Sequence, residues 1–139
     1  MRYLVVANQT LGAEQLSRKI RECQAAGRCS FHLLVPATPP NDHLTWVEGE
    51  ATAIARERLD QALSWLQALG VDVDGEIGDP NPLLAIADAL REGEFDHIIL
   101  STLPAGLSRW LKADLPSRVR AGFDLPVSHI ISSARDTSV

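Results

Sequence analysis

"DHIILSTLPAGLSRWLKADLPSRV" (Asp96–Val119) joins an apolar run to a short loop and a basic, helix-like segment. Asp96–Thr102 is mostly aliphatic, the pattern of a strand buried on both faces. The loop after it has one glycine, Gly106, and Pro104. Residues 115–122 read as a helix, with Pro116 tolerated in its first turn. A strand that feeds a loop and then a helix is the repeating unit of a parallel α/β sheet. In such sheets this loop is also where phosphates are often held.

The rest of the chain repeats the unit. "RYLVVAN" (Arg2–Asn8) and "SFHLLVPA" (Ser30–Ala37) read as further buried strands. Between them Leu16, Ile20 and Cys23 recur at helical spacing, and Gly27 is a helix stop. "TPPNDH" (Thr38–His43) breaks the chain, and "TWVE" (Thr45–Glu48) has the form of a capping box. The long helix that follows sets Ile54, Leu59, Ala62, Leu63, Leu66 and Leu69 on one apolar face and ends at Gly70. "VDVDGEIG" (Val71–Gly78) alternates apolar with polar, as an edge strand does. "NPLLAIADALREG" (Asn81–Gly93) opens with Asn81 as cap and Pro82 at the first helical position, and closes on Gly93. "PVSHII" (Pro126–Ile131) is the last strand, and "SSARDTSV" (Ser132–Val139) reads as a frayed tail. The order β-α-β-α-β-α-β-α-β predicts an α/β fold: an open, five-stranded, mostly parallel sheet with helices on both faces. One domain is expected over residues 1–139.

An excess of 18 acidic over 13 basic residues gives a net charge of -5, which argues against broad nucleic-acid binding. Cys23 and Cys29 match neither a zinc pattern nor a disulfide framework, and Cys23 falls on the apolar side of its helix. The first apolar run is too short for a signal peptide, and no segment reaches the length of a membrane span. A cytoplasmic protein without membrane attachment is expected.

Open α/β sheets bind ligands beyond the carboxyl ends of their strands, where the strand order reverses. Three loops qualify: "ANQTLG" (Ala7–Gly12), "PATPP" (Pro36–Pro40) and "STLPAGLSR" (Ser101–Arg109). The chain has no G-x-x-x-x-G-K-[ST], no G-x-G-x-x-G and no G-x-S-x-G. It does offer donors for an anion: the hydroxyls of Thr10, Thr102 and Ser108, close backbone approach at Gly106, and the planar fork of Arg109. Arg109, Lys112, Arg118 and Arg120 form a local basic run. The same residues have a plainer reading, in which Ser108 and Asp114 cap short helices and the basic side chains form a solvated face. His32, His97 and His129 fall in strands and His43 in a loop, without the spacing of a helical metal site. They read as histidines with ordinary partners. Trp65 lies beside the apolar stripe of the long helix and is expected to be partly exposed.

These residues resemble a universal stress protein domain over nearly the whole chain. "EIGDPNPLLAIADAL" (Glu76–Leu90) resembles that family's turn into its third helix. "IILST", "GLSRWL" and "RV", then "LPV", resemble its fourth strand, loop, helix and last strand. The resemblance implies the adenine nucleotide alpha hydrolase-like fold, an ATP or other adenine nucleotide site, and a homodimer through the last strand. It also places Asn8 and Ser101 at ligand-facing positions. The sequence departs from the family's ATP-binding pattern at five places. Asn8 stands for an aspartate, Ser101 and Pro104 for the first two loop glycines, Ala113 for the third, and Asp114 for a hydroxyl residue. The nucleotide loop is thus altered.

Asn8, Thr10, Ser101, Thr102, Gly106, Ser108 and Arg109 are the expected ligand residues, with no catalytic or metal-binding residue among them. The expected function is that of a non-catalytic regulatory domain binding a nucleotide or another anion. The alternative is a protein-interaction or dimerisation module without a ligand. An enzyme acting on adenylyl groups ranks last, because the chain lacks a glycine-rich phosphate loop and an evident base.

Overall fold

The computed structural model describes residues 1–38, 48–104 and 107–132, the side chains at 48 and 109 excepted. Its elements are β1 (Arg2–Val6), α1 (Glu14–Ala26), β2 (Ser30–Pro36), α2 (Glu48–Ala68), β3 (Val73–Gly78), α3 (Pro82–Glu92), β4 (His97–Thr102), α4 (Arg109–Lys112), α5 (Leu115–Gly122) and β5 (Val127–Ile131). The five strands form one sheet in the order β3-β2-β1-β4-β5. Every pairing is parallel, so the sheet is wholly rather than mostly parallel. β3 and β5 are its edges, as the alternating pattern of β3 predicts.

The side-chain alternation of the central strands divides the core in two. Tyr3, Val5, Phe31, Leu33 and Ile99 pack with Leu16 and Ile20 of α1 and with Ala55, Leu59, Ala62 and Leu66 of α2. Leu4, Val6, Leu34, Ile98 and Leu100 pack with Ala85, Ile86 and Ala89 of α3 and Leu115 and Val119 of α5. Helices therefore cover both faces. Each fully buried aliphatic side chain contributes about 1.5–3 kcal/mol of transfer free energy.

Local signals account for several element ends. Asn81 Oδ1 accepts a hydrogen bond from Leu83 N at 3.0 Å, and Pro82 occupies the first turn of α3. Gly70 adopts φ +83° after α2, a conformation that favours glycine. The expected Thr45 cap and positions 133–139 of the expected tail lie outside the described residues.

Three expectations need correction. The buried stripe of α2 is Ala51, Ala55, Leu59, Ala62 and Leu66, while Leu69 is exposed and Ile54 and Leu63 are intermediate. The small alanines face the sheet and let α2 lie close to β3. A Cβ on Gly75 of β3 would stand 2.6 Å from Leu59 Cδ1 and 2.8 Å from the Leu33 carbonyl oxygen. β3 starts at Val73 rather than Val71, because Asp72 instead offers its carbonyl to Phe31 N at 2.9 Å as a lead-in. Finally, a short helix, α4, fills part of what reads as loop.

Candidate functional site

The chain builds β2 and β3 to one side of β1, then crosses to β4 and β5 on the other. The reversal lies between β1 and β4, and there the loops leaving the two strands part. Asn8, Gln9 and Thr10 line the resulting cleft from the β1 side, Thr38 from beyond β2. Ser101, Thr102 and Leu103 line it from the end of β4, and Leu107, Ser108 and Trp110 from the segment after.

The floor is made of buried hydroxyls. Thr10 Oγ1 and Ser101 Oγ share a hydrogen bond of 2.7 Å, and Ser101 Oγ lies 3.3 Å from Ser132 Oγ. All three residues are almost fully buried. Three hydroxyl protons serve two bonds, so one is left over for another acceptor. Beside them Thr102 Oγ1 lies 2.8 Å from His129 Nε2. Burial, with Arg120 nearby, pushes the His129 imidazolium toward losing its proton below the usual histidine range.

Asn8 forms the corner of the cleft. Its Nδ2 donates to the Pro36 carbonyl at 2.8 Å and more weakly to that of Thr38 at 3.4 Å. Its Oδ1 accepts from Arg58 Nη1 at 2.6 Å. The side chain therefore ties the ends of β1 and β2 to the middle of α2.

At the outer wall, the backbone N–H groups of Leu107 and Ser108 both point back to the Pro104 carbonyl, at 3.0 and 3.1 Å. These two donors are turned away from an anion in the cleft. Ser108 Oγ accepts from Leu111 N at 3.2 Å, which leaves its own proton to donate. Leu107 stands at the lip, 66% exposed.

No family model and no curated protein matches the chain. Two solved structures resemble it over nearly their whole lengths. A universal stress protein from Archaeoglobus fulgidus superposes with a TM-score of 0.63 at 18% identity, covering 94% of this chain and 93% of that one. The chain has the universal stress protein fold. A protein from the universal stress protein family of Burkholderia pseudomallei gives a TM-score of 0.55 at 17% identity, covering 93% and 94%.

Within the universal stress protein fold, the cleft gathers five of the seven residues expected from the sequence: Asn8, Thr10, Ser101, Thr102 and Ser108. Gly106 and the Arg109 side chain lie outside the described residues. Of the basic run, Lys112, Arg118 and Arg120 are exposed and stand apart from the cleft lining, as a solvated face. Ser108 does cap a short helix. Asp114 precedes α5 but makes no side-chain cap bond. It takes the left-handed conformation, φ 55° and ψ 42°, which aspartate tolerates better than most residues. Its exposed carboxylate is not part of the cleft lining, so it does not confront a ligand there.

The histidines have ordinary partners. His97 Nε2 lies 2.8 Å from Ser128 Oγ, and His32 sits between Asp74 and Glu76, 2.7 Å from each. Among the described residues no group of three or more His, Cys, Asp or Glu could hold a metal ion. Among them also, no helix is long and apolar enough to cross a membrane.

Sequence reasoning missed Arg58, Thr38 and Trp110. Trp110 and Thr38 lie in segments already singled out, and their place in the loops after β4 and β2 was the available signal. Arg58 carried only a faint one, a charged residue immediately beside the apolar Leu59.

Proposed function

We propose that residues 1–139 form a non-catalytic regulatory domain of universal stress protein type that binds an anionic, phosphate-bearing ligand in the β1/β4 cleft. The observation that carries this reading is the convergence of Asn8, Thr10, Ser101, Thr102 and Ser108 on one cleft at the strand-order reversal. An adenine nucleotide is the first ligand to test. Hydroxyl protons from the Thr10–Ser101–Ser132 chain and from Ser108 would meet its phosphate oxygens, while Leu103, Leu107 and Trp110 supply apolar surface. With Pro104 lacking an N–H and the Leu107 and Ser108 N–H groups turned to its carbonyl, binding rests on side chains more than on these backbone donors. Weak or modified nucleotide binding is the expected consequence. The reading includes a cytoplasmic protein that acts without nucleic acid or membrane, pairs as a homodimer through β5, and signals to a protein partner.

A second reading, an interaction module without ligand, is favoured by the edge itself. β5 borders solvent on one side, and Ile131 at its end is 53% exposed.

The test is to denature the purified protein and assay the released small molecules by chromatography and mass spectrometry. This is followed by thermal melts with saturating ATP, with and without magnesium. A stoichiometric adenine nucleotide, or a rise in melting temperature that Ser101→Val and Thr10→Val abolish, supports the cleft as a nucleotide site. An empty protein whose melting temperature no nucleotide moves, and whose only response is a concentration-dependent dimer, supports the interaction module.

A further inference from the structure

A second concavity adjoins the cleft on the far side of Asn8 and Gln9. One wall is the segment after β1, with Leu11 and Gly12. The other is a stripe of α2: Arg58, Gln61, Ala62 and Trp65. Those four positions follow the i, i+3, i+4, i+7 spacing that puts residues on one helix face. The buried stripe of α2 faces the sheet, and Arg58, Gln61 and Trp65 lie beside it along the groove, with the buried Ala62 shared by both.

Arg58 sets the groove's character. It is half-buried, and its Nη1 bond goes to Asn8 Oδ1, a neutral amide oxygen. Among the described residues it makes no ion pair, although Glu57 lies near enough to favour its charge. An arginine that is partly desolvated without a carboxylate is unfavourable in free energy, and a ligand anion would relieve that cost. Burial opposes its charged form more strongly than Glu57 supports it. Its planar fork suits a carboxylate or a phosphate.

Trp65 supplies the second element. It is 39% exposed at the other end of the same stripe. An exposed indole lining a groove offers a stacking surface for an aromatic ring. Seven helical steps carry the chain from Arg58 to Trp65, about 10 Å of rise. The side chains of Gln61 and Ala62 lie between them. The two ends thus match a ligand with an anionic head and a rigid aromatic body.

We propose that the groove between the segment after β1 and the Arg58–Trp65 face of α2 is a second ligand site, for a small aromatic carboxylate or aryl phosphate. Arg58 holds the anionic head and Trp65 stacks on the ring. The site adjoins the β1/β4 cleft through Asn8 and Gln9, which line both, but its anion-binding and stacking groups come from α2, so it does not rest on the nucleotide reading.

The experiment titrates the purified chain with 2-naphthyl phosphate, read by calorimetry and by the indole N–H signals of Trp46, Trp65 and Trp110, with Trp65→Phe to assign them. The expected result is saturable binding that shifts the Trp65 signal. Inorganic phosphate and 2-naphthol should each bind at least about tenfold more weakly, because each lacks one of the two elements. Arg58→Met should weaken binding by a similar factor. Because that variant also removes a bond to Asn8, Gln61→Glu provides the second arm. Gln61 is exposed, so the variant folds, and a carboxylate one turn from Arg58 competes for the cation. Full-strength binding by folded Gln61→Glu and Arg58→Met would overturn the proposal. So would a titration that moves Trp110 and leaves Trp65 still, or no binding at all. Failure of ATP to bind would count against the cleft and leave this site untouched.

Discussion

Asn8→Asp puts the aspartate of the resembled family back at the end of β1, and the geometry around that position predicts that it destabilises this chain. Asn8 both accepts and donates: Oδ1 takes a 2.6 Å bond from Arg58, while Nδ2 gives a 2.8 Å bond to the Pro36 carbonyl. Aspartate keeps the first bond and charges it, a gain of about 1 kcal/mol over a neutral pair. It loses the second. A carboxylate oxygen then faces a carbonyl oxygen at the distance of a hydrogen bond, at a position only 7% exposed. That carbonyl keeps Thr38 N as a donor at 2.7 Å, so the cost is the buried carboxylate's own: it loses the bond and meets a carbonyl oxygen instead, about 2–3 kcal/mol in all. The net expectation is a loss of about 1–2 kcal/mol at pH 7, or roughly 3–5 °C in melting temperature. The pH dependence identifies the cause. Once protonated, the introduced carboxyl could again donate to Pro36, so the deficit belongs to the ionised form. The folded state then holds the proton more tightly than the unfolded state, whose carboxyl titrates near about 3.9. The deficit is full at pH 7, closes as the pH falls through that raised folded value, and is gone below about 3.9. Urea unfolding of both proteins at the two pH values, followed by tryptophan fluorescence and circular dichroism, measures it. An Asn8→Asp protein as stable as the natural one at pH 7, or more so, would refute the reasoning. It would mean that the Arg58 ion pair outweighs the bond to Pro36.

Gly75→Ala should cost about 1–3 kcal/mol by overpacking, since its Cβ would press on the Leu33 carbonyl as well as on Leu59. Gly122→Ala, with nothing within 4 Å, should be neutral or stabilising in the same denaturation assay. Burial holds the pKa values of both His97 and His129 below the ordinary histidine value of 6.5. Their contribution to stability is therefore complete above about pH 6.5 and is lost as the pH falls from there through their lowered folded values, because the unfolded chain takes up the protons first. Melts at pH 7 and pH 5 should show the natural protein losing more stability than the His97→Gln/His129→Gln variant; equal losses would contradict it.

Much of the fold is legible because its causes are local. Runs such as Tyr3–Val6 must be strands buried on both sides, since no amphipathic surface could accommodate them. The Asn81–Pro82 start of α3 is written in two adjacent residues that satisfy or avoid orphan backbone donors. The polar residues within β3, Asp74 and Glu76, fit a strand that is only partly covered, as this edge strand is. Chain order then dictates crossovers, and crossovers dictate where the loops after β1 and β4 meet. That is why five residues chosen by loop membership lie in one cleft.

Other features depended on distances the chain order does not carry. Asn8 and Arg58 are fifty positions apart, and only the packing of α2 on β3 brings the guanidinium to the amide. Leu69 fits the apolar period but falls one residue past the end of α2, in the turn toward β3, and is exposed there. Asp114 looks in sequence like a phosphate-facing residue or a cap, but the left-handed turn between α4 and α5 leaves its carboxylate in solvent. Strands, helices and their order, and with them the doubly covered parallel sheet, were readable from the chain because they follow from periodicity and from satisfying each backbone group nearby. Which side chains share a site was not, because a side chain's direction and partners depend on contacts between segments far apart in the chain.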